Sequence, residues 1–260
     1  MGSLAGMGGG FVMIPLMTSR RLLGLSQHQA HGTSLFAVLF TGLAGALSYG
    51  DQVQYEAASA VALSAMLSAR LGAMATNRIS EKVLKRALGI LMLTMAPAIP
   101  LKAYLLKQSK APETASNPAK GLTKSNNTES SPPMTVESIL PRLIAPAGIG
   151  MMSGFLAGVF GVGGGVVVVP ALAVATDMTH YQALATSLAA MAPAAAVGTY
   201  THYTLGNVVL RSGIAPMLAM GAFAGAYMGG KLSLQTNEAV LQWGFSGLLT
   251  VLGVRTLLKV

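Results

Sequence analysis

Three consecutive glycines, four apolar residues and a proline occur together twice in this 260-residue chain. Gly8-Gly9-Gly10-Phe11-Val12-Met13-Ile14-Pro15 returns 155 residues later as Gly163-Gly164-Gly165-Val166-Val167-Val168-Val169-Pro170. Both copies lie in uncharged, strongly apolar sequence. A helix that restarts after Gly10 or Gly165 presents unpaired backbone N–H groups and the positive end of its dipole. That is a ready site for an anion. The missing Cβ atoms permit close approach, and Pro15 and Pro170 loosen the helix just beyond. Close helix packing through small residues accounts equally well for one such run. Its duplication together with the proline favours a binding role for Gly8, Gly9, Gly10, Gly163, Gly164 and Gly165. Neither run is a nucleotide loop. No Gly-Lys-Ser/Thr follows, and Gly161-Val162-Gly163 lacks the third glycine of a dinucleotide fingerprint.

Hydroxyl and amide donors follow each run. Gln29-Ala30-His31-Gly32-Thr33-Ser34-Leu35 aligns with Gln182-Ala183-Leu184-Ala185-Thr186-Ser187-Leu188 at a spacing of 153. Thr33, Ser34, Thr186 and Ser187 are candidate donors to an oxyanion, with Gln29 and Gln182 one helical turn earlier. The alternative is that the hydroxyls bond to their own helix backbone. Arg70 is the one cation well inside an apolar helix, which makes it a candidate contact, although it is close enough to Arg78 to snorkel. His31 adjoins the Thr-Ser pair and is a candidate proton relay. The four histidines are scattered and gather no set of metal ligands, so no metal is expected, and no cofactor. No carboxylate pair or nucleophile–base set falls in the apolar stretches, which argues against an enzyme.

The elements that position these residues are membrane helices. The chain is 52% hydrophobic and 10% charged, with a mean hydropathy of +0.58; a soluble domain carries about a quarter charged residues. Residues 22–50, 143–176, 178–210 and 212–230 contain no charge. Each is near or beyond the roughly 20 residues that cross a bilayer as a helix. The runs are continuously apolar rather than alternating, which excludes a barrel. The net charge of +9 lies mainly in short loops and helix ends, as positive-inside placement requires, so nucleic acid is not the expected partner. The absence of cysteine excludes disulfides and thiol chemistry.

Helices are expected near 10–17, 28–49, 55–77 and 82–106, then a hairpin or broken helix over 140–175 interrupted at Gly161–Gly165, then near 180–203, 208–230 and 237–258. Residues 1–106 form a first repeat and 139–260 a second. Between them, 107–138 holds seven charged residues with Pro, Ser, Asn and Thr, the composition of a solvated linker. The first glycine run lacks the apolar lead-in of residues 143–162, so its first half-helix is expected to be truncated. The basic loop of Arg78, Lys82, Lys85 and Arg86 is placed in the cytoplasm and Asp51 and Glu56 outside. A re-entrant second glycine element makes the repeats inverted and agrees better with the charges; a fully crossing one makes them parallel. The fold expected is an all-α, polytopic transmembrane bundle of two homologous, inverted repeats with Gly-rich broken or re-entrant helices.

A duplicated Gly-x-Gly-Gly-Gly…Pro element followed by Ala-x-x-Thr-Ser resembles the TauE/SafE family of sulfite and organosulfonate exporters. Gly161–Gly165 with Pro170 and Ala183–Ser187 fits closely. In the first copy, Met7–Gly10 with Pro15 and Ala30–Ser34, His31-Gly32 is a local departure. The resemblance implies a secondary transporter for small sulfur-containing anions such as sulfite, a sulfonate or thiosulfate, with a proton or other ion as a candidate coupling partner. The residues leave two alternatives open: an anion channel using the same site, and a non-transporting assembly or sensor subunit whose glycines serve packing.

Overall fold

The computed structural model describes residues 8–19, 23–97, 136–176, 178–209 and 213–258, and every regular element among them is helical. The helices are α1 (Gly10–Met17), α2 (Gln27–Tyr49), α3 (Tyr55–Thr76), α4 (Glu81–Met95), α5 (Val136–Phe160), α6 (Gly165–Ala175), α7 (His180–Thr204), α8 (Ile214–Gln235) and α9 (Glu238–Leu258). Five stretches, Gln27–Gln52, Tyr55–Thr76, Leu143–Phe160, His180–Thr204 and Ala239–Leu258, are long and apolar enough to cross a bilayer. The chain is an integral membrane protein whose described regular elements are all helices.

The helix starts follow from local sequence. The Ser26 hydroxyl accepts from the Gln29 N–H and the Gln29 side chain accepts from the Ser26 N–H. Thr179 and Gln182 make the same reciprocal pair. These capping boxes fix the starts of α2 and α7 at equivalent positions. Two boundaries differ from the sequence expectation. Helix α8 begins at Ile214 rather than near 208, because the Asn207 and Val209 N–H groups bond to His202 O and Thr33 Oγ1 instead of starting a helix. Helix α5 begins at Val136, inside the expected linker, whose residues 107–135 lie outside the described residues along with 98–106.

Helices α2 and α7 cross antiparallel, and their contacts are reciprocal. A Cβ on Gly198 would lie 2.5 Å from Leu35 Cδ2, and one on Gly45 would lie 2.7 Å from Leu188 Cδ1. Leu35 corresponds to Leu188, and Gly45 to Gly198, at the same spacing of 153. Helices α4 and α9 repeat the pattern. A Cβ on Gly89 would meet Leu257 Cγ at 2.7 Å and Gly253 O at 3.3 Å, while the Ser246 hydroxyl donates to Ala96 O at 2.6 Å. Gly89 pairs with Ser246, and Ala96 with Gly253, at a spacing of 157. The contacts of both helix pairs are thus self-exchanging under the sequence correspondence.

Helix α5 lies against α3 at backbone distance. Cβ atoms on Gly150, Gly154 and Gly158 would run into the α3 main chain at Val61, Ala65 and Ala69, the close approach that small residues at four-residue spacing allow. The core has two main parts. One joins α1, α4, the α5–α6 break and α9 through Ile14, Leu84, Leu88, Val162 and Leu249. The other joins the ends of α2 and α3 to α6 and α7 through Tyr49, Val61, Val168, Leu184 and Leu188. Between them Leu35, Val38, Met191 and Ala195 fill the α2–α7 crossing.

Candidate functional site at the paired glycine breaks

The two glycine runs meet beside the α2–α7 crossing. Gly8 and Gly9 take φ of 71° and 74°, and Gly161 and Gly163 take 62° and 80°, left-handed values that only glycine adopts without cost. Each turn launches a half-helix, α1 after Gly9 and α6 after Gly164, and no side chain caps either start. The first intrahelical bonds run from the Val12 and Met13 N–H groups to Gly9 O, and from Val167 and Val168 to Gly164 O. A Cβ on Gly10 would lie 2.7 Å from both Gly161 O and Val162 Cα, and 2.8 Å from Ser34 Oγ. The start of α1 is therefore in backbone contact with the turn that starts α6. A Cβ on Gly8 would fall 2.8 Å from Val38 Cγ1 and 3.4 Å from Met191 Sδ; Val38 and Met191 are themselves equivalent residues. Gly8–Gly10 and Gly163–Gly165 are all buried.

The space around the two breaks differs. Two cavities flank the second break, each of about 10 Å³, one against Val162, Gly163 and Val166, the other against Ser153, Gly164 and Met191. Each is about the size that admits one water. Beside the first break is a groove of about 240 Å³ between α1 and α8. Gly9, Met13, Leu218 and Ala222 line this groove, and their equivalents Gly164, Val168, Val61 and Ala65 line the second small cavity. There, Ser153, Gly154 and Ala157 of α5 fill what the groove leaves open.

Two of the hydroxyl candidates bond to loops distant in sequence. Thr33 Oγ1 accepts from the Val209 N–H at 3.1 Å, and Thr186 Oγ1 from the Gln54 N–H at 3.1 Å. Thr33 thus holds the loop that follows α7, and Thr186 the loop that follows α2. The Ser34 hydroxyl donates to Gly161 O at 2.9 Å, tying α2 to the second break. Thr33, Ser34, Thr186 and Ser187 are all fully buried. Gln29 and Gln182 stand apart at the mouths of α2 and α7, in the capping boxes. Arg70 is exposed on α3 and is not brought to the breaks.

A second polar group gathers on the carbonyl end of α5, of which the sequence reading singled out His31 alone. His31 Nδ1–H donates to Val159 O and His202 Nε2–H to Gly158 O, each at 2.9 Å. The Thr76 hydroxyl reaches the same two carbonyls at 3.1 and 3.2 Å. Gln27 Nε2 lies 2.8 Å from His31 Nε2. His202 was legible only given the antiparallel crossing: the register that sets Leu35 against Gly198 sets His31 against His202.

Comparison with known proteins is consistent with this architecture. The sequence profile described as sulfite exporter TauE/SafE matches residues 1–256. The chain belongs to the TauE/SafE family. Over 91% of the chain and 84% of the relative, it is 29% identical to the probable membrane transporter protein YunE of Bacillus subtilis. It is 25% identical to a probable membrane transporter protein of Methanocaldococcus jannaschii over 99% of the chain and 91% of that protein. No solved structure matches. This TauE/SafE protein is thus a multi-pass membrane transporter by family, in a family named for transport rather than for an enzymatic reaction.

Proposed function

We propose that this TauE/SafE protein is a secondary carrier that moves a small sulfur oxyanion, of the sulfite, sulfonate or thiosulfate class, by alternating access. The observation that carries this is the meeting of two uncapped half-helix starts across Gly10 and Gly161. Backbone N–H groups of Gly10 and Phe11 in one repeat, and Gly165 and Val166 in the other, are the donors for the anion. Gly8, Gly9, Gly163 and Gly164 shape the turns that aim them. Thr33, Ser34, Thr186 and Ser187, buried on the helices that follow the breaks, exchange their present bonds for the anion as the helices part. Gln29 and Gln182 act from the helix starts, and Arg70 stays on the lipid-facing side.

The repeats, 1–106 and 139–260 around a linker at 107–138, are read as inverted. The antiparallel crossing of the equivalent helices α2 and α7, with exchanged Leu–Gly contacts, supports this, as does the same exchange between α4 and α9. The charges agree. Gln27 N–H meets Glu81 and Asn207 meets Asn77 at the end that carries Arg78, Lys82, Lys85 and Arg86. Gln54 meets Thr186, and Tyr181 meets Thr236, at the end that carries Asp51 and Glu56. The break between α5 and α6 supports a re-entrant second element. The test is sulfite uptake into proteoliposomes, measured against sulfate and chloride. Saturable, sulfite-preferring uptake is expected; unsaturable conductance points to a channel, and no flux of any anion from folded protein refutes the transport of this class.

A further inference from the structure

The carbonyl end of α5 is capped by imidazoles. A carbonyl oxygen only accepts, so the bonds to Val159 O and Gly158 O put protons on His31 Nδ1 and His202 Nε2. The remaining ring nitrogens, His31 Nε2 and His202 Nδ1, are then the basic ones. His31 Nε2 accepts from the Gln27 amide at 2.8 Å, while Gln27 Oε1 and His202 Nδ1 are buried without a partner. His31 and His202 have no exposed surface and Gln27 has 3%. A buried unpaired acceptor costs about 1–3 kcal/mol, and two within one cluster of an apolar bundle call for a reason.

We propose that His31, Gln27 and His202 form the proton-coupling site of the carrier, taking up one proton together with the anion. This deepens the transport reading above and rests on it. The lone pair of His31 Nε2 takes the proton, and the Gln27 amide turns end over end so that its unpaired Oε1 accepts the new N–H; no other bond changes. His202 Nδ1 offers the alternative seat for the same proton. The imidazolium then lies on the negative end of the α5 dipole, where a cation is favoured. Its position also links it to the anion site. A Cβ on Gly161 would run into the His31 main chain, and Ser34, one turn along α2, holds Gly161 O. A positive charge at His31 therefore sits against the turn that aims the α6 N–H groups, and favours an anion there.

Few other charges bear on the cluster. From α4, Glu81 Oε1 accepts from the Gln27 N–H at 3.2 Å, a half-buried carboxylate leading in from the basic end. His28 neighbours Gln27 on α2 and lies within electrostatic reach of both imidazoles. Helix α3 contributes the Thr76 hydroxyl, and α5 contributes carbonyls. The other repeat has no such cluster, because Leu184, His180 and Tyr49 occupy the positions equivalent to His31, Gln27 and His202.

The test separates coupling from transport. Proteoliposomes with the wild type, His31→Gln and His202→Gln are assayed for sulfite counterflow at equal pH, which needs no net proton movement, and for net uptake with acid on the sulfite side. The wild type is expected to do both, with net uptake stimulated by the gradient. In His31→Gln the stimulation is expected to fall about tenfold and counterflow no more than about threefold. Working counterflow without a gradient effect in the wild type, or full stimulation in both variants, overturns the coupling site and leaves the carrier standing. Absent counterflow refutes the carrier itself. A transport-independent measurement covers variants that fail to fold: ¹⁵N NMR of histidine-labelled wild type in nanodiscs, with and without sulfite. A buried imidazole becoming imidazolium on sulfite addition at constant pH is expected; unchanged ring nitrogens between about pH 5 and 8, the range in which histidine ordinarily titrates, overturn the proposal.

Discussion

Replacing Gly10 by alanine sets two effects of known size against each other. Gly10 opens α1 in ordinary helical backbone, since its φ is not among the positive ones. Alanine there gains about 1 kcal/mol of helix propensity. The new Cβ, however, arrives 2.7 Å from Gly161 O and Val162 Cα. Both are main-chain atoms of the other repeat's break, so no rotamer relieves the contact. Reaching ordinary carbon contact of about 3.5–4 Å means moving the breaks apart by roughly an ångström. Overpacking of that kind costs about 1–3 kcal/mol. The net result is from no change to a loss of about 2 kcal/mol, with the anion donors displaced. Gly247 on α9 is the control, because nothing approaches its Cβ position within 4 Å. Gly247→Ala takes the gain without the clash. At about 2–4 °C per kcal/mol for a chain approaching this size, Gly10→Ala should melt about 2–12 °C below Gly247→Ala in the same detergent. It should also show slowed sulfite uptake, while Gly247→Ala matches the wild type. Equal midpoints with unaltered uptake in Gly10→Ala would refute the contact between the breaks.

Three further outcomes follow from the same geometry. Thr33→Val and Thr186→Val each strand one backbone N–H, of Val209 or Gln54, at a cost of about 1–3 kcal/mol; serine at either position keeps the acceptor and should recover most of the loss, as thermal unfolding will check. Leu35→Ala and Leu188→Ala remove equivalent, fully buried side chains and should each cost about 2–5 kcal/mol, by similar amounts, whereas a large inequality would count against the reciprocal crossing. Arg70→Gln, on an exposed surface, should leave the midpoint within about 0.5 kcal/mol and uptake kinetics unaltered.

Local signals in the sequence carried most of the fold. The second glycine run ends α5 at Phe160 and starts α6 at Gly165 because successive left-handed turns cannot be continued as helix, and the first run starts α1 at Gly10 for the same reason. Ser26-x-x-Gln29 and Thr179-x-x-Gln182 are capping-box signatures, so the glutamines' engagement at the helix starts was readable from spacing alone. What was not readable depends on partners distant in sequence. Thr33 and Val209 are 176 positions apart, and Thr186 and Gln54 are 132 apart. Nothing local says that these hydroxyls accept from the opposite repeat rather than bonding to their own helix. The start of α8 at Ile214 rather than near 208 has the same cause, since Val209 is drawn to Thr33 rather than into a helix.

The direction of net flux through the proposed carrier is set by the gradients, and any difference between its two facing forms comes from the places where the matching stretches differ. The elements that hold the helices together are matched: both capping boxes, both threonine–loop bonds, both Leu–Gly contacts at the α2–α7 crossing. The unmatched residues cluster. His31 faces the second break where the equivalent position in α7 carries Leu184, and His202 caps Gly158 O where α2 carries Tyr49. One end of the bundle thus holds two buried imidazoles, and their equivalents at the other end are Leu184 and Tyr49, neither of which takes up a proton to become a cation. If the transport cycle passes through two forms related by exchange of the halves, the charge state of that one end is one term by which they differ in energy. Placing histidine at Leu184 in a His31→Leu background would move the proton seat to the opposite end; because one proton would still travel with each anion, acid on the sulfite side should still stimulate uptake, and loss of that stimulation would show that the seat works only at the His31 end.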